Sequence, residues 1–199
     1  MGNAVKKNSF GLALAVIFLA GSAAAQAGLQ EGVSAYKRGH FSIALKELTP
    51  LAESGDAKAQ NILGEMHNSG SGVPHDPVKA AFWYRKAAEQ GNGSAQTSLG
   101  VMYERGIGVP QNDKEAAAWF HKAAEQGYAE AQYVLGGMYE RGQGAIKADL
   151  VQAHKWFAIA VAAGFDIAQD NLQELEAKMS REQIEKAQSM AKEWLAKHQ

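Results

Sequence analysis

From residue 57 onward the apolar positions fall in blocks of helical spacing that return along the chain. Ala59, Leu63 and Met66 share one face of a first predicted helix, and the same triplet recurs as Ala95, Leu99, Met102 and as Ala131, Leu135, Met138. A second stripe follows each: Ala80, Trp83/Tyr84, Ala87/Ala88, then Ala116, Trp119/Phe120, Ala123/Ala124, then Ala153, Trp156/Phe157, Ala160/Val161. The dipeptide Ala59-Gln60 reappears as Ala95-Gln96, Ala131-Gln132 and Ala168-Gln169, at steps of 36, 36 and 37 residues. A sustained period of this length predicts stacked helical hairpins.

Local signals agree with that division. Asp76, Asn112 and Asp149 each stand seven residues before a recurrent Trp and are placed to cap the second helix, with Pro77 at the first helical position of one of them. Gly55, Gly91, Gly127 and Gly164 follow the second helices, as C-terminal turn glycines do. Gly64, Gly100 and Gly136 lie inside the first helices, where glycine costs about 1 kcal/mol relative to alanine. Their recurrence predicts two closely packed backbones. Downstream, Ser180 and Gln183 form a capping box ahead of Ile184, Ala187, Ala191, Trp194 and Leu195, an amphipathic final helix expected to close the stack.

The first residues read as an address. Lys6 and Lys7 precede an apolar run from Phe10 to Ala20, and small residues lead to Ala25 and Ala27, the layout of a secretory signal peptide cleaved after Ala27 or Ala25. The run is short for a membrane span, so the processed chain is expected to be soluble, in the bacterial periplasm or secreted. Twenty Lys+Arg against 21 Asp+Glu leave no basic field for a phosphate backbone, and nucleic acid is not expected as a partner. The absence of cysteine removes disulfides, thiolate catalysis and cysteine-ligated metals.

The segment from Ala95 to Pro110, which includes Leu99-Gly100, Met102-Tyr103-Glu104-Arg105-Gly106 and Gly108, resembles the Sel-one-like repeat, a longer relative of the tetratricopeptide repeat. Lys114-Glu115-Ala116 and the stretch from Trp119 to Gly127 continue the likeness. It covers 56–165 strongly and the flanks more loosely. The chain divides into a signal peptide at 1–27, an N-terminal helical pair at 28–55, repeats at 56–92, 93–128 and 129–165, and a partial repeat with a capping helix at 166–199. The third repeat departs at Gly144-Ala145-Ile146-Lys147, where the others read Gly-Val-Pro, which leaves its hairpin geometry open. In the partial repeat Gln173 replaces the packing glycine.

The resemblance implies an all-α superhelical solenoid of about five antiparallel helix pairs, with a concave face lined by first helices that binds a protein or peptide. Carried over residue by residue, the groove positions are Lys58, Asn61, Glu65, Asn68 and Ser69; then Ser94, Thr97, Val101, Glu104 and Arg105; then Glu130, Tyr133, Gly137, Glu140 and Arg141. Tyr133 offers the largest contact area at the smallest entropy cost. Tyr103, Tyr139 and the equivalent His67 are expected to pack between helices.

Signals for chemistry are thin. Ser34 and Lys37 have the Ser-x-x-Lys spacing of penicillin-recognising enzymes, but neither Ser-Asp-Asn nor Lys-Thr-Gly occurs. Cysteine-rich relatives of the resembled family are linked to β-lactam binding or hydrolysis, and their disulfide-pinned repeats are absent here. The six histidines form no metal-binding pair, and the Gly-x-Gly motifs at 70–72, 106–108 and 142–144 follow helices and lack a P-loop lysine. The expectation is an exported, monomeric, non-catalytic scaffold without cofactor or metal; the alternative is a weak envelope hydrolase or a binder of β-lactams or cell-wall fragments.

Overall fold

The structure, a computed structural model, describes residues 25–198. Among them ten helices follow one another without a strand: α1 (25–37), α2 (Phe41–Glu53), α3 (Ala57–Ser69), α4 (Pro77–Glu89), α5 (Gly93–Arg105), α6 (Asp113–Glu125), α7 (Ala129–Arg141), α8 (Leu150–Ala162), α9 (Ala168–Glu176) and α10 (Arg181–Lys197). From α2 to α9 each helix packs on the next, so antiparallel pairs stack into a solenoid. Lys6, Lys7 and the apolar run to Ala20 lie outside the described residues, while residues 25–27 form the first turn of α1. No helix among the described residues is long and apolar enough to cross a membrane.

Helix starts are set by short polar side chains. Asp76 Oδ1 accepts from the Lys79 N–H at 3.0 Å, Asn112 from Lys114 and Glu115, and Asp149 from Val151 and Gln152. The first helices are capped too, α3 by Asp56 at 2.8 Å and α5 by Asn92 at 2.9 Å. Each such cap stabilises its helix by about 1 kcal/mol. At α7 the capping position is Tyr128, which makes no cap bond and instead lays its ring over Gly93 at the head of α5.

Gly64, Gly100 and Gly136 are contact points, but not between two backbones as the sequence suggested. Each accepts an aromatic ring from the second helix of its own repeat: a Cβ would come within 2.6 Å of Tyr84, 2.9 Å of Phe120 and 2.7 Å of Phe157. Those rings are 3%, 0% and 1% exposed, and alanines surround them. The helix loses a side chain at glycine so that the largest buried group can fill the space.

The loop between helices follows one plan three times. The backbone N–H of Asp76 donates to His67 O, Asn112 to Tyr103 O and Asp149 to Tyr139 O, each at 2.9 Å. The second loop glycine, Gly72, Gly108 or Gly144, takes positive φ and rests on the start of the preceding pair's second helix, at Phe41, Pro77 and Asp113 respectively. In the third repeat the added residue is absorbed at Ala145, whose φ of 65° makes it the one non-glycine in the left-handed region among the described residues. The closing bond and the cap survive, so the hairpin keeps its geometry.

The end of the solenoid is built differently. Gln173 is exposed, and α10 does not pair with α9 as the second helices of the repeats pair with the first. The final helix instead folds back over α8, where Ala191 and Trp194 are buried against Trp156 and Ile159 and Ala187 is also buried. Trp194 meets Trp156 edge-on at 6.0 Å, and its Nε1 donates to Glu125 Oε2 at 3.0 Å. The surface of α8 permits this because Ala158, Ile159 and Ala162 replace Arg85, Lys86 and Glu89 of α4 and His121, Lys122 and Glu125 of α6.

Gly136→Ala is expected to lower the urea-unfolding free energy by about 1–3 kcal/mol, because the added methyl meets Phe157. In an exposed helix interior the same change stabilises by about 1 kcal/mol. A neutral or stabilising result would refute the ring-on-glycine contact.

Candidate functional site

Three clefts succeed one another along the face built by the first helices. The N-terminal cleft, of about 400 Å³, is lined by Leu29, Val33, Ser34 and Lys37 of α1 and by Lys58 of α3. The middle cleft, of about 260 Å³, joins Asn68, Thr97, Val101, Arg105 and Glu130. The third, of about 170 Å³, joins Glu104 of α5 to Tyr133, Gly137 and Arg141 of α7 and Asn171 of α9. Helical periodicity produces this line: first helices repeat in register, so one position per turn on each faces the same side.

Two positions read as groove contacts are not free surface. Asn61 is 7% exposed, and its Nδ2 donates to Glu65 Oε1 at 2.7 Å. Thr97 is 6% exposed, and its Oγ1 donates to Gly93 O of its own helix at 3.0 Å, which makes it cleft floor. A short polar side chain finds a partner within its own helix more readily than it reaches outward. Glu65, half-buried, is held between Asn61 and the phenol of Tyr36. Glu140 is half-buried and bonded to Lys178 at 3.0 Å.

Lys58, Arg105, Glu130 and Arg141 are exposed, and Val101 and Glu104 are half-exposed. Among the described residues Lys37, Lys58, Arg105 and Arg141 have no carboxylate within ion-pair distance; Arg141 Nε bonds only to Gln143 Oε1 at 2.8 Å. Tyr133 has one edge in the third cleft, while its ring packs on Phe157 at 5.8 Å and Phe165 at 5.2 Å. It is as much a core residue as a contact. Tyr103 and Tyr139 lie between helices, and Tyr103 accepts a hydrogen bond from Arg85 at 2.7 Å. In their place His67 is half-buried, and desolvation holds its pKa below the ordinary value.

Ser34 and Lys37 both line the N-terminal cleft, and no hydrogen bond joins their side chains. His154 is 1% exposed, and its Nε2 lies 2.8 Å from Glu176 Oε1, a structural tie between α8 and α9. No cluster of three or more metal-ligating side chains occurs among the described residues. Leu29, Val33 and Asn171 were not singled out in the sequence. The apolar pair on α1 at i, i+4 is the signal that could have found the first cleft.

A family model described as Sel1 repeat matches residues 57–92, 93–128 and 129–165. Among solved structures, the Sel1 repeat protein from Oxalobacter formigenes is 34% identical with a TM-score of 0.68, over 71% of this chain and 58% of that one. A protective antigen present in uropathogenic Escherichia coli strains and displaying an SLR fold is also 34% identical, with a TM-score of 0.72, over 79% of this chain and 33% of that one. The chain thus spans less than two thirds of the length of the first relative and about one third of the second. No curated protein matches it.

Burial, with the Glu65 carboxylate beside it, pushes the Tyr36 phenol from the usual 10.0 up to about 12. An unfolded tyrosine releases its proton near pH 10, so the stability tied to the neutral phenol is complete below pH 10 and is lost as pH rises toward 12. Burial raises Tyr84 in the same sense. The urea midpoint is therefore expected to fall between pH 10 and 12, and more gently in Tyr36→Phe; equal slopes would place the titration elsewhere.

Proposed function

The chain belongs to the Sel1 repeat family, and on that basis we propose that it is an exported, non-catalytic adaptor that binds an extended protein segment along its first-helix face. The observation that carries this reading is the row of three clefts with four cations, Lys37, Lys58, Arg105 and Arg141, that have no carboxylate partner among the described residues. Glu65 and Glu140 are occupied by internal bonds, which leaves Glu104 and Glu130 as the opposing charges. The balance favours an occupant with acidic side chains spaced to meet successive repeats. A series of shallow clefts suits an extended peptide better than one small molecule, which needs a single enclosing pocket.

The compartment follows from Lys6, Lys7, the Phe10–Ala20 run and the small residues to Ala27: the chain enters the bacterial envelope and acts there, in the periplasm or after secretion. Cleavage after Ala27 leaves α1 to begin at Gly28 with the lining residues Leu29, Val33, Ser34 and Lys37 intact. Intact-mass measurement on protein recovered from the envelope is expected to show a chain starting at residue 28 or 26. A retained Met1 would sink the exported reading.

Arg105→Glu combined with Arg141→Glu changes two exposed side chains and is expected to leave helicity and melting temperature unaltered. Crosslinking capture from envelope extract should recover a partner with the parent chain and about tenfold less of it with the double variant, a loss of about 1.4 kcal/mol. Equal capture by both would move the site off this face.

A further inference from the structure

The buried glutamines of the Ala-Gln pairs form a ladder that is complete in two repeats and broken in the third. Gln60 Nε2 donates to Ala52 O at 2.9 Å, and Gln60 Oε1 accepts from Gln90 Nε2 at 2.7 Å. Gln96 repeats both bonds, to Ala88 O at 3.1 Å and from Gln126 at 2.7 Å. Gln132 keeps the first, to Ala124 O at 3.1 Å, but the position equivalent to Gln90 and Gln126 is Ala163. The Gln132 side chain is fully buried, and its Oε1 has no hydrogen-bond partner. Buried amide carbonyls are rarely left so.

That side chain lines a cleft of about 260 Å³ with Gln126, Ile159, Ala163, Trp194 and His198. The Trp194 and His198 rings are stacked at 3.8 Å and 12°, and Ile159 adds an apolar wall. The missing side chain defines what fits: a short apolar stem ending in an N–H donor, the shape of the glutamine that fills this place in the other repeats. A carboxylate brings no donor, and an ammonium would shed its water for one neutral acceptor. We infer that this cleft is a second binding site, separate from the first-helix face, that takes a primary carboxamide: the side chain of a glutamine presented by a peptide partner.

The test is a titration of the full chain, labelled with nitrogen-15, with N-acetylglutamine N-methylamide and with its norleucine counterpart. Saturable shifts are expected at the Gln132 side-chain amide and at Ala163, with an affinity on the order of millimolar, as befits so few contacts. The norleucine compound should bind about tenfold more weakly, since it lacks the donor. Ala163→Gln supplies the missing rung from within; it should raise the melting temperature and abolish the shifts. Binding unchanged in that variant, or equal for the two compounds, overturns the assignment, as does no binding at all, which would leave the cleft to water. Binding seen only in Gln199→Ala would show that the chain's own last side chain, outside the described residues, takes the site, and would overturn it too.

Discussion

The separation between the two helices of a pair is set by a ring seated on bare backbone: Tyr84 on Gly64, Phe120 on Gly100, Phe157 on Gly136. Glycine in mid-helix weakens the isolated helix, and the buried ring offsets that loss through close-packed contact. Because the contact recurs in each repeat, the helix pairs adopt one spacing, and the alanines around the ring bring neighbouring helices equally close. Regular stacking then puts the first helices in register, and the row of clefts on their outer side is a consequence of that register. Where Gln173 stands in place of glycine, the next helix, α10, packs on α8 and not on α9, and the regular stack stops.

Polar groups inside the solenoid do a separate job. The Ala-Gln pairs place a glutamine amide on a carbonyl in the last turn of the preceding helix, which also accepts from the N–H of the turn glycine, so both acceptor sites of that oxygen are used. The alanine allows the approach and the glutamine tethers it. The loops act in the same direction, with Gly72, Gly108 and Gly144 resting on the start of the previous pair's second helix. Both devices join a repeat to the one before it.

Much of this was legible in the sequence because it is periodic. The helix boundaries, the caps at Asp76, Asn112 and Asp149, and the division into repeats follow from residues that recur at 36 or 37 positions. What recurrence could not tell is which way a polar side chain turns. Gln60 and Gln96 are buried and tethered, Asn61 and Thr97 bond within their own helices, and a linear pattern gives all four the same polar character. The seat of α10 was encoded as a loss of polarity: residues 158–163 are apolar where α4 and α6 carry charges and a glutamine. That signal appears only when the repeats are compared with each other rather than with an average.

The fold-back of α10 changes how the array comes apart. Side-chain hydrogen bonds from one repeat to the next join residues at most 38 positions apart, whereas Trp194 to Glu125 spans 69. Closing a contact that distant costs more chain entropy than closing a hairpin between neighbouring helices, so the seat of α10 is favoured once the repeats beneath it are stacked. An array of like units ordinarily frays at both ends. Here one end is tied across two repeats, so α7 and α8 cannot separate from α6 without α10 also letting go.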